Sequence, residues 1–385
     1  MDGKNPRLKP NILIAISSYN HRTHRGIVRY AREASWRLKV QLSPGGQVPW
    51  GWQGDGIIAG VSSKAVEFRK FLEAAPMPVV DTDWRQPELQ VPRVLIDNTA
   101  IGTQAAEHFL AKGFRDFVFL AGSNDWNSRE RGHAFNQRLA ASGHHSDFFD
   151  FKRQEHETWL DRQQRLERFL SERVGPVAVF CVYDMQAIDV IEACLAAGLT
   201  IPDRVAVLSV GNDDLICDTA TIGLSSIDTN QEVHGYQVAA HLDRLMRGES
   251  LPLEPIRVPA GSVVTRTSTD IMAVGNSSVV HAVRFLHEHF TESIGVADVA
   301  SAVHMTRQGL TKAFATHLGR SPGEELRRIR IEAAKQALID GESKLDVIAR
   351  QIGYSSANSL CLAFKRETGL TPIGFRKKHT KQAVR

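Results

Sequence analysis

The sequence predicts a two-lobed α/β domain followed by an all-α domain built from two helix-turn-helix units. Three observations carry this. Short apolar runs alternate with amphipathic segments from residue 11 to 270, the pattern of strands and helices in a parallel sheet. From residue 278 onward the periodic segments are all helical. Within that last stretch the chain repeats itself. Phe314-Ala-Thr-His-Leu-Gly319-Arg-Ser321-Pro322 lies over Phe364-Lys-Arg-Glu-Thr-Gly369-Leu-Thr371-Pro372, with Phe, Gly, a hydroxyl residue and Pro recurring at a spacing of 50. Such a repeat fixes architecture before any single residue is read.

The strands and helices follow in order. Residues 11–16 are an apolar, β-branched run that reads as a buried strand. A polar turn leads to a helix over 23–35. Further strands are expected at 56–61, 78–81, 94–97, 117–121, 177–182, 205–210 and 255–259. Helices are expected at 65–75, 99–112, 128–142, 158–172, 185–197 and 232–247, with Gly113 as a C-cap. That is too many strands for one half, so two lobes of about six strands each are expected, with a cleft where the strand C-termini converge. The effector-binding part spans 1–270, a polar linker 271–280, and the helical part 281–385. The two units lie at about 295–318 and 345–368, separated by a helix over 322–340. Ser321-Pro322-Gly-Glu324 is a capping box; Thr371-Pro372 repeats its cap and Pro without the Glu. A last helix is expected at 372–378.

Charge divides along the same boundary. Residues 275–385 carry 17 Lys and Arg against 10 Asp and Glu, a net +7, whereas the first 274 residues sum to −3. A polyanion is therefore the expected partner of the helical part. A length of 385 residues implies two or three domains, and 42% hydrophobic content is that of a globular protein. The polar start, Met1-Asp-Gly-Lys-Asn-Pro, reads as no secretory signal, and no apolar run approaches the roughly 20 residues that cross a bilayer. Four scattered cysteines without metal-ligand spacing read as reduced thiols. A cytoplasmic protein with no metal, no cofactor and no membrane partner is expected. There is no GxGxxG after the first strand, no GxxxxGK[ST] and no GxSxG, so no catalytic residue is assigned.

A helix-turn-helix needs a small residue where its helices meet, a tight turn, and a second helix with a polar outer face. Ala300 and Ala349 are the small residues. Leu310 and Phe314, then Leu360 and Phe364, point inward. The outer faces then offer Gln308, Thr311 and Lys312 in the first unit and Asn358 and Ser359 in the second. Carboxamides suit adenine edges, lysine suits guanine, and Ala or Thr can touch the thymine methyl. Lys365, Arg366, Arg376, Lys377 and Lys378 are candidates for phosphate. Gly309, inside the first recognition helix, costs up to about 1 kcal/mol relative to alanine.

Residues 295–378 resemble the DNA-binding domain of AraC-type regulators, through Val299-Ala300, Gly319-x-Ser321-Pro322, Arg327-x-x-Arg330-Ile331-x-x-Ala334, Ile348-Ala349-x-x-x-Gly353-Tyr354 and Gly369-x-Thr371-Pro372. Leu362 departs from that pattern, standing where such regulators often place a base-reading arginine. Residues 11–270 resemble the effector core of LacI-type repressors, a periplasmic-binding-protein-like fold of type I. The carriers are Asp97-Asn98-x-x-x-Gly102-x-x-Ala105-Ala106, Ser128-Arg129-x-Arg131-x-x-x-Phe135 and Ala197-Gly198-Leu199-x-Ile201-Pro202-Asp203. Together the two halves are similar to the xylose-operon-regulator type.

That resemblance implies a regulator that binds double-stranded operator DNA and is switched by a small effector, most simply a monosaccharide such as a pentose. It also implies a homodimer, with RNA polymerase as a further possible contact. For the effector, Arg129, Asp184 and Asn212 match ligand-contacting positions. Asp213, Ser18 and Asp83 also lie at strand C-termini, with Trp84 and Trp126 as rings to cover a sugar face. Blander readings stay open: Asp97 as a helix cap, Asp81 or Asp83 as a turn cap, Trp126 as core. Gly211 stands where the resemblance expects Asp, which leaves three alternatives: a ligand other than xylose, a site closed by Asp213, or a vestigial pocket. A non-sugar metabolite, a transport binding protein and an α/β enzyme with a helical arm are further rivals.

Overall fold

The computed structural model describes residues 9–17, 19–41, 48–122, 125–271, 277–340 and 343–377. The chain divides into two units. One takes in the residues up to Glu107, Asp116–Val174 and Ala178–Thr269; the other takes in His108–Arg115, Gly175–Val177 and the chain from Asp270.

The first unit contains two sheets and a strand pair. β1 (Asn11–Ile16), β2 (Arg37–Gln41), β3 (Gly56–Gly60) and β4 (Val79–Asp81) form a parallel sheet in the order β2-β1-β3-β4. β5 (Val94–Ile96) pairs with the late strand β11 (Ile256–Val258), so the chain returns to this lobe near its end. The helices of this lobe are α1 (His21–Glu33), α2 (Val66–Glu73) and α8 (Gln231–Met246). α1 and α8 approach so closely that a Cβ on Gly26 would lie 2.0 Å from the Glu232 carbonyl, and one on Gly235 1.9 Å from that of Thr23. Ile12, Ile14, Ile27, Ile58, Val80, Val238 and Leu242 are the core between sheet and helices.

The other lobe is a six-stranded sheet in the order β12-β10-β9-β8-β6-β7. Its strands are β6 (Asp116–Ala121), β7 (Asp147–Asp150), β8 (Val177–Cys181), β9 (Val205–Gly211), β10 (Ser225–Asp228) and β12 (Val263–Val264). β12 runs antiparallel to β10. Its helices are α3 (Asn98–Ala111), which ends in the second unit, α4 (Trp126–Ala140), α5 (Trp159–Ser171), α6 (Asp184–Ala196) and the single turn α7 (Asp214–Cys217). Asp97 does cap α3, accepting from the Ala100 amide at 3.0 Å.

Four strands go beyond the sequence expectation. β2 and β7 are at sheet edges, where exposed polar positions dilute the apolar signal. β12 is two residues long. β10 begins Ser225-Ser226, which reads as a turn; both serines are buried because the fold supplies them with hydrogen bonds.

The second unit is helical: α9 (Ser277–His289), α10 (Val296–Ala302), α11 (Arg307–Leu318), α12 (Pro322–Asp340), α13 (Leu345–Gln351), α14 (Ala357–Thr368) and a last helical segment over 372–377. α9 begins inside the expected linker, half of which, 272–276, lies outside the described residues. The Ser321–Glu324 capping box is formed in both directions, at 2.7 and 3.3 Å. Next to it Glu325, fully buried, is held by Arg320 and by Arg328 at 2.7 Å, which fixes the start of the long helix. Two separate cores flank α12. Leu326 and Ile329 join Val299, Ala300, Leu310 and Phe314; Ile331, Ala334 and Leu338 join Ile348, Ala349, Leu360 and Phe364.

Candidate functional sites

In the first unit, the loops after the parallel strands bring the two lobes together. Trp84, in the loop after β4, stacks on Trp126, the first residue of α4, with ring centroids 6.0 Å apart and planes 30° apart. The Arg93 guanidinium lies 4.5 Å over Trp84, and that of Arg257 is 5.4 Å from the Trp126 ring. Around the rings sit acids. Asp81 is buried and pairs with Arg93 at 3.3 Å. Burial first, then the charge of Asp83, raises its pKa to about 8 against the pull of Arg93. Asp83 caps its own turn, accepting from the Arg85 amide at 2.8 Å, and pairs with the Arg85 side chain at 3.3 Å. Its pKa is also raised, mainly by burial, with the charge of Asp125 adding to the effect. Asp125 caps α4 and accepts from the Tyr183 hydroxyl at 3.2 Å.

Of the expected ligand residues, Asp83 lies at this aromatic and acidic cluster, and Ser18 lies outside the described residues. Arg129 is on the exposed side of α4, whereas Arg131 is buried. Two residues turn a helix by about 200°, so only one of these arginines can face inward. Arg131 donates to Asn98 Oδ1 at 2.7 Å and to the Val182 carbonyl at 2.6 Å. Its neighbour Gly132 is the missed signal: a Cβ there would meet the Phe119 ring at 2.5 Å, which marks this side of the helix as the packed one.

Asp184, Asn212 and Asp213 come together, but on one another. Asp184 Oδ1 accepts from Ser209 and Ser226, both at 2.6 Å, and Oδ2 accepts from the Asp213 amide at 3.0 Å. Burial pushes its pKa up while those bonds pull it down. Asp213 caps α7 through the Leu215 amide. Asn212, at φ 50°, donates its amide to Ser226, and its side chain bonds Arg266 at 3.0 Å and Asp228 at 3.3 Å. Its carbonyl accepts from Arg22 at 3.1 Å. Arg22, on α1 of the other lobe, also bonds the Gly211 carbonyl at 3.0 Å and both oxygens of Asp228, at 2.8 and 2.7 Å. Arg22, Asp228 and Arg266 were not among the expected site residues. Gly211 has a physical reason. Its φ is 135°, and a Cβ there would lie 2.6 Å from Asp184 Oδ2.

In the second unit, the two recognition helices are built alike. Thr306 and Ser356 cap them, accepting from the Gly309 and Ser359 amides at 3.1 and 3.2 Å. Both end in a left-handed glycine, Gly319 at φ 67° and Gly369 at φ 73°. The turns differ: α10 ends five residues before α11 begins, while α13 ends six before α14. A left-handed residue stands in each, His304 at φ 54° and Gly353 at φ 80°. Gly353 is obligatory, since a Cβ would lie 2.4 Å from the Phe290 carbonyl.

Gln308, Thr311 and Lys312 are exposed on α11, and Asn358, Lys365 and Arg366 on α14. Ser359 is half-buried, its amide taken by the cap. Two expectations change. Gly309 is in the first turn rather than the middle of its helix, where its amide is the one capped, so the interior-glycine penalty does not apply in full. Arg376 is half-buried and donates to the Ser343 carbonyl at 2.7 Å, which makes it a clamp between segments rather than an outward cation. Lys377 is exposed and Lys378 lies outside the described residues. Two capped helices with carboxamides and cations outward can present donors and acceptors to base edges. Among the described residues no group of His, Cys, Asp and Glu could hold a metal ion, and no helix is long and apolar enough to cross a membrane.

Comparison with known proteins agrees with this division. Residues 106–269 match a periplasmic binding protein-like domain and residues 299–378 a helix-turn-helix domain. The chain is 26% identical over 371 residues to the xylose operon regulatory protein of Escherichia coli K12, covering 94% of this chain and 95% of that one. A stretch of 79 residues is 42% identical to the lactose operon transcription activator of Staphylococcus xylosus, covering 20% of this chain and 28% of the activator. In structure it is similar to a xylose-binding transcription activator, at TM-score 0.60 and 24% identity, covering 97% of this chain and 99% of that one.

Proposed function

For a chain that joins a periplasmic-binding-protein-like domain to an AraC-type double helix-turn-helix domain, we propose the work of a DNA-binding transcription regulator switched by a neutral monosaccharide held between its lobes. The Trp84–Trp126 pair carries the sugar reading. The stacked indoles offer apolar surface to ring C–H groups where Arg93 and Arg257 do not cover them, while Asp83 and Asp125 beside them accept from hydroxyls. The arginines beside the rings are each matched by an acid, Arg85 by Asp83, Arg93 by Asp81 and Arg257 by Glu130, which disfavours an anionic sugar acid. A pentose is favoured by the likeness to xylose operon regulatory proteins. Sugar binding can alter DNA affinity only by favouring one lobe arrangement over another. A homodimer on paired half-sites is the form proposed, and RNA polymerase a contact of the bound regulator.

Calorimetry with D-xylose, L-arabinose, D-ribose, D-glucose and D-xylonate tests this. One neutral sugar should bind and xylonate should not; a folded protein that binds none of them overturns the sugar reading. One observation favours a second reading, a vestigial pocket. The backbone amide and carbonyl of Asn212 and both polar atoms of its side chain are engaged by the protein itself. Uniform absence of binding is the outcome that reading requires. DNA binding is tested separately, by enrichment of sequences from a random duplex pool.

A further inference from the structure

The internal repeat allows the two recognition helices to be compared residue by residue, at an offset of 50. Both bury a leucine and a phenylalanine, Leu310 and Phe314 against Leu360 and Phe364. Both expose a carboxamide two residues before that leucine, Gln308 and Asn358. Four residues after the carboxamide, one turn along the same face, the helices diverge. α11 exposes Lys312. α14 exposes Leu362, at 69%, against 45% for Val347, 53% for Ile373 and 37% for Leu370, the other large exposed hydrophobics described in this unit. The cations of the second helix come one turn later, at Lys365 and Arg366, where the first has Ala315 and Thr316.

A leucine 69% exposed on a solvent-facing helix leaves most of its side chain in water, yet it occupies the register of an outward lysine. The major groove presents one apolar feature, the C5-methyl of thymine. We propose that Leu362 is a specificity-determining residue that packs on a thymine methyl. This rests on the DNA-binding reading above. The second unit then reads an A·T-rich step with a carboxamide and an apolar contact, and the following cations hold phosphate. The first unit reads its step with a carboxamide and a cation. Leucine can neither donate nor accept, so it penalises G·C pairs by leaving their polar edges unpaired.

The test uses the full chain. A duplex is selected from a random pool, each thymine is replaced singly by deoxyuridine, and affinity is measured by fluorescence anisotropy. At one or two positions the lost methyl should weaken wild-type binding roughly four-fold, the worth of one buried methyl group. Leu362→Ala should bind the unmodified duplex more weakly and be indifferent to the same replacements, with an unchanged melting midpoint. Leu362→Met should restore the methyl dependence. The proposal is overturned if no deoxyuridine matters to the wild type, or if the same ones matter equally to Leu362→Ala. An enriched duplex indifferent to its methyls sinks only the leucine assignment; a pool that yields nothing sinks the DNA reading with it.

Discussion

Gly211→Asp restores the acid that a LacI-like segment leads one to expect, and it should damage the protein rather than repair it. Gly211 has φ 135°, which L side chains rarely adopt, and holding one there costs about 1–3 kcal/mol. The new Cβ would lie 2.6 Å from Asp184 Oδ2, so the Asp184 carboxylate must move. That carboxylate accepts the Asp213 amide, and stranding a buried polar group costs about 1–3 kcal/mol more. The total, roughly 2–6 kcal/mol, should lower the melting midpoint of the sensor by about 4–24 °C. Thermal unfolding followed by circular dichroism measures it, with Gly211→Ala, which brings the same Cβ and the same φ without the charge, expected to lose nearly as much. Asp184→Ser removes the obstruction, so its combination with Gly211→Asp should cost less than the two changes summed. A Gly211→Asp protein that melts within a degree of wild type, or gains sugar affinity, would refute the reasoning.

Other outcomes follow from the same structure. Trp126→Ala should abolish the sugar-induced change in tryptophan fluorescence while leaving DNA selection intact; retained sugar affinity would place the ligand elsewhere. Lys312→Ala should weaken binding to one part of a selected site, whereas Arg366→Ala should weaken all duplexes alike and reduce the salt slope by about one, read from affinities at several salt concentrations. The pKa of Asp81 is raised in the fold, so the stability it contributes is full below the ordinary carboxylate range and declines as pH rises through about 8. Urea midpoints measured from pH 5 to 8 should show that decline in the wild type and a flatter line in Asp81→Asn. Phe364→Ala should cost about 3–5 kcal/mol in the second core and leave amide protection around Phe314 in place, as hydrogen exchange would show.

Helices were legible to within a residue or two because their signals are local. The Ser321–Glu324 box, the terminal glycines and the spacing of Leu310 and Phe314 need no distant partner. β10 was not legible, because Ser225 and Ser226 resemble turn residues until Asp184 and Ser268 are brought to them from elsewhere in the chain. Which way a candidate site residue faces is hidden for a related reason. Arg129 and Arg131 are equivalent on paper, and only the packing of α4 decides which turns inward. Arg376 reads as a free cation until the Ser343 carbonyl appears beside it. Gly211 read as a lost acid; the sequence contains nothing to say that the Asp184 carboxylate fills its space.

The two cores of the helical unit meet α12 at successive turns, the first ending at Ile329 and the second beginning at Ile331. Each recognition helix thus draws most of its support from its own half, with Phe290 packed against both cores. Substitutions that retune one half leave the scaffold of the other in place. Over evolutionary time such a protein can exchange half of its address on the genome and keep the rest, so new target sites are reachable through intermediates that still hold DNA.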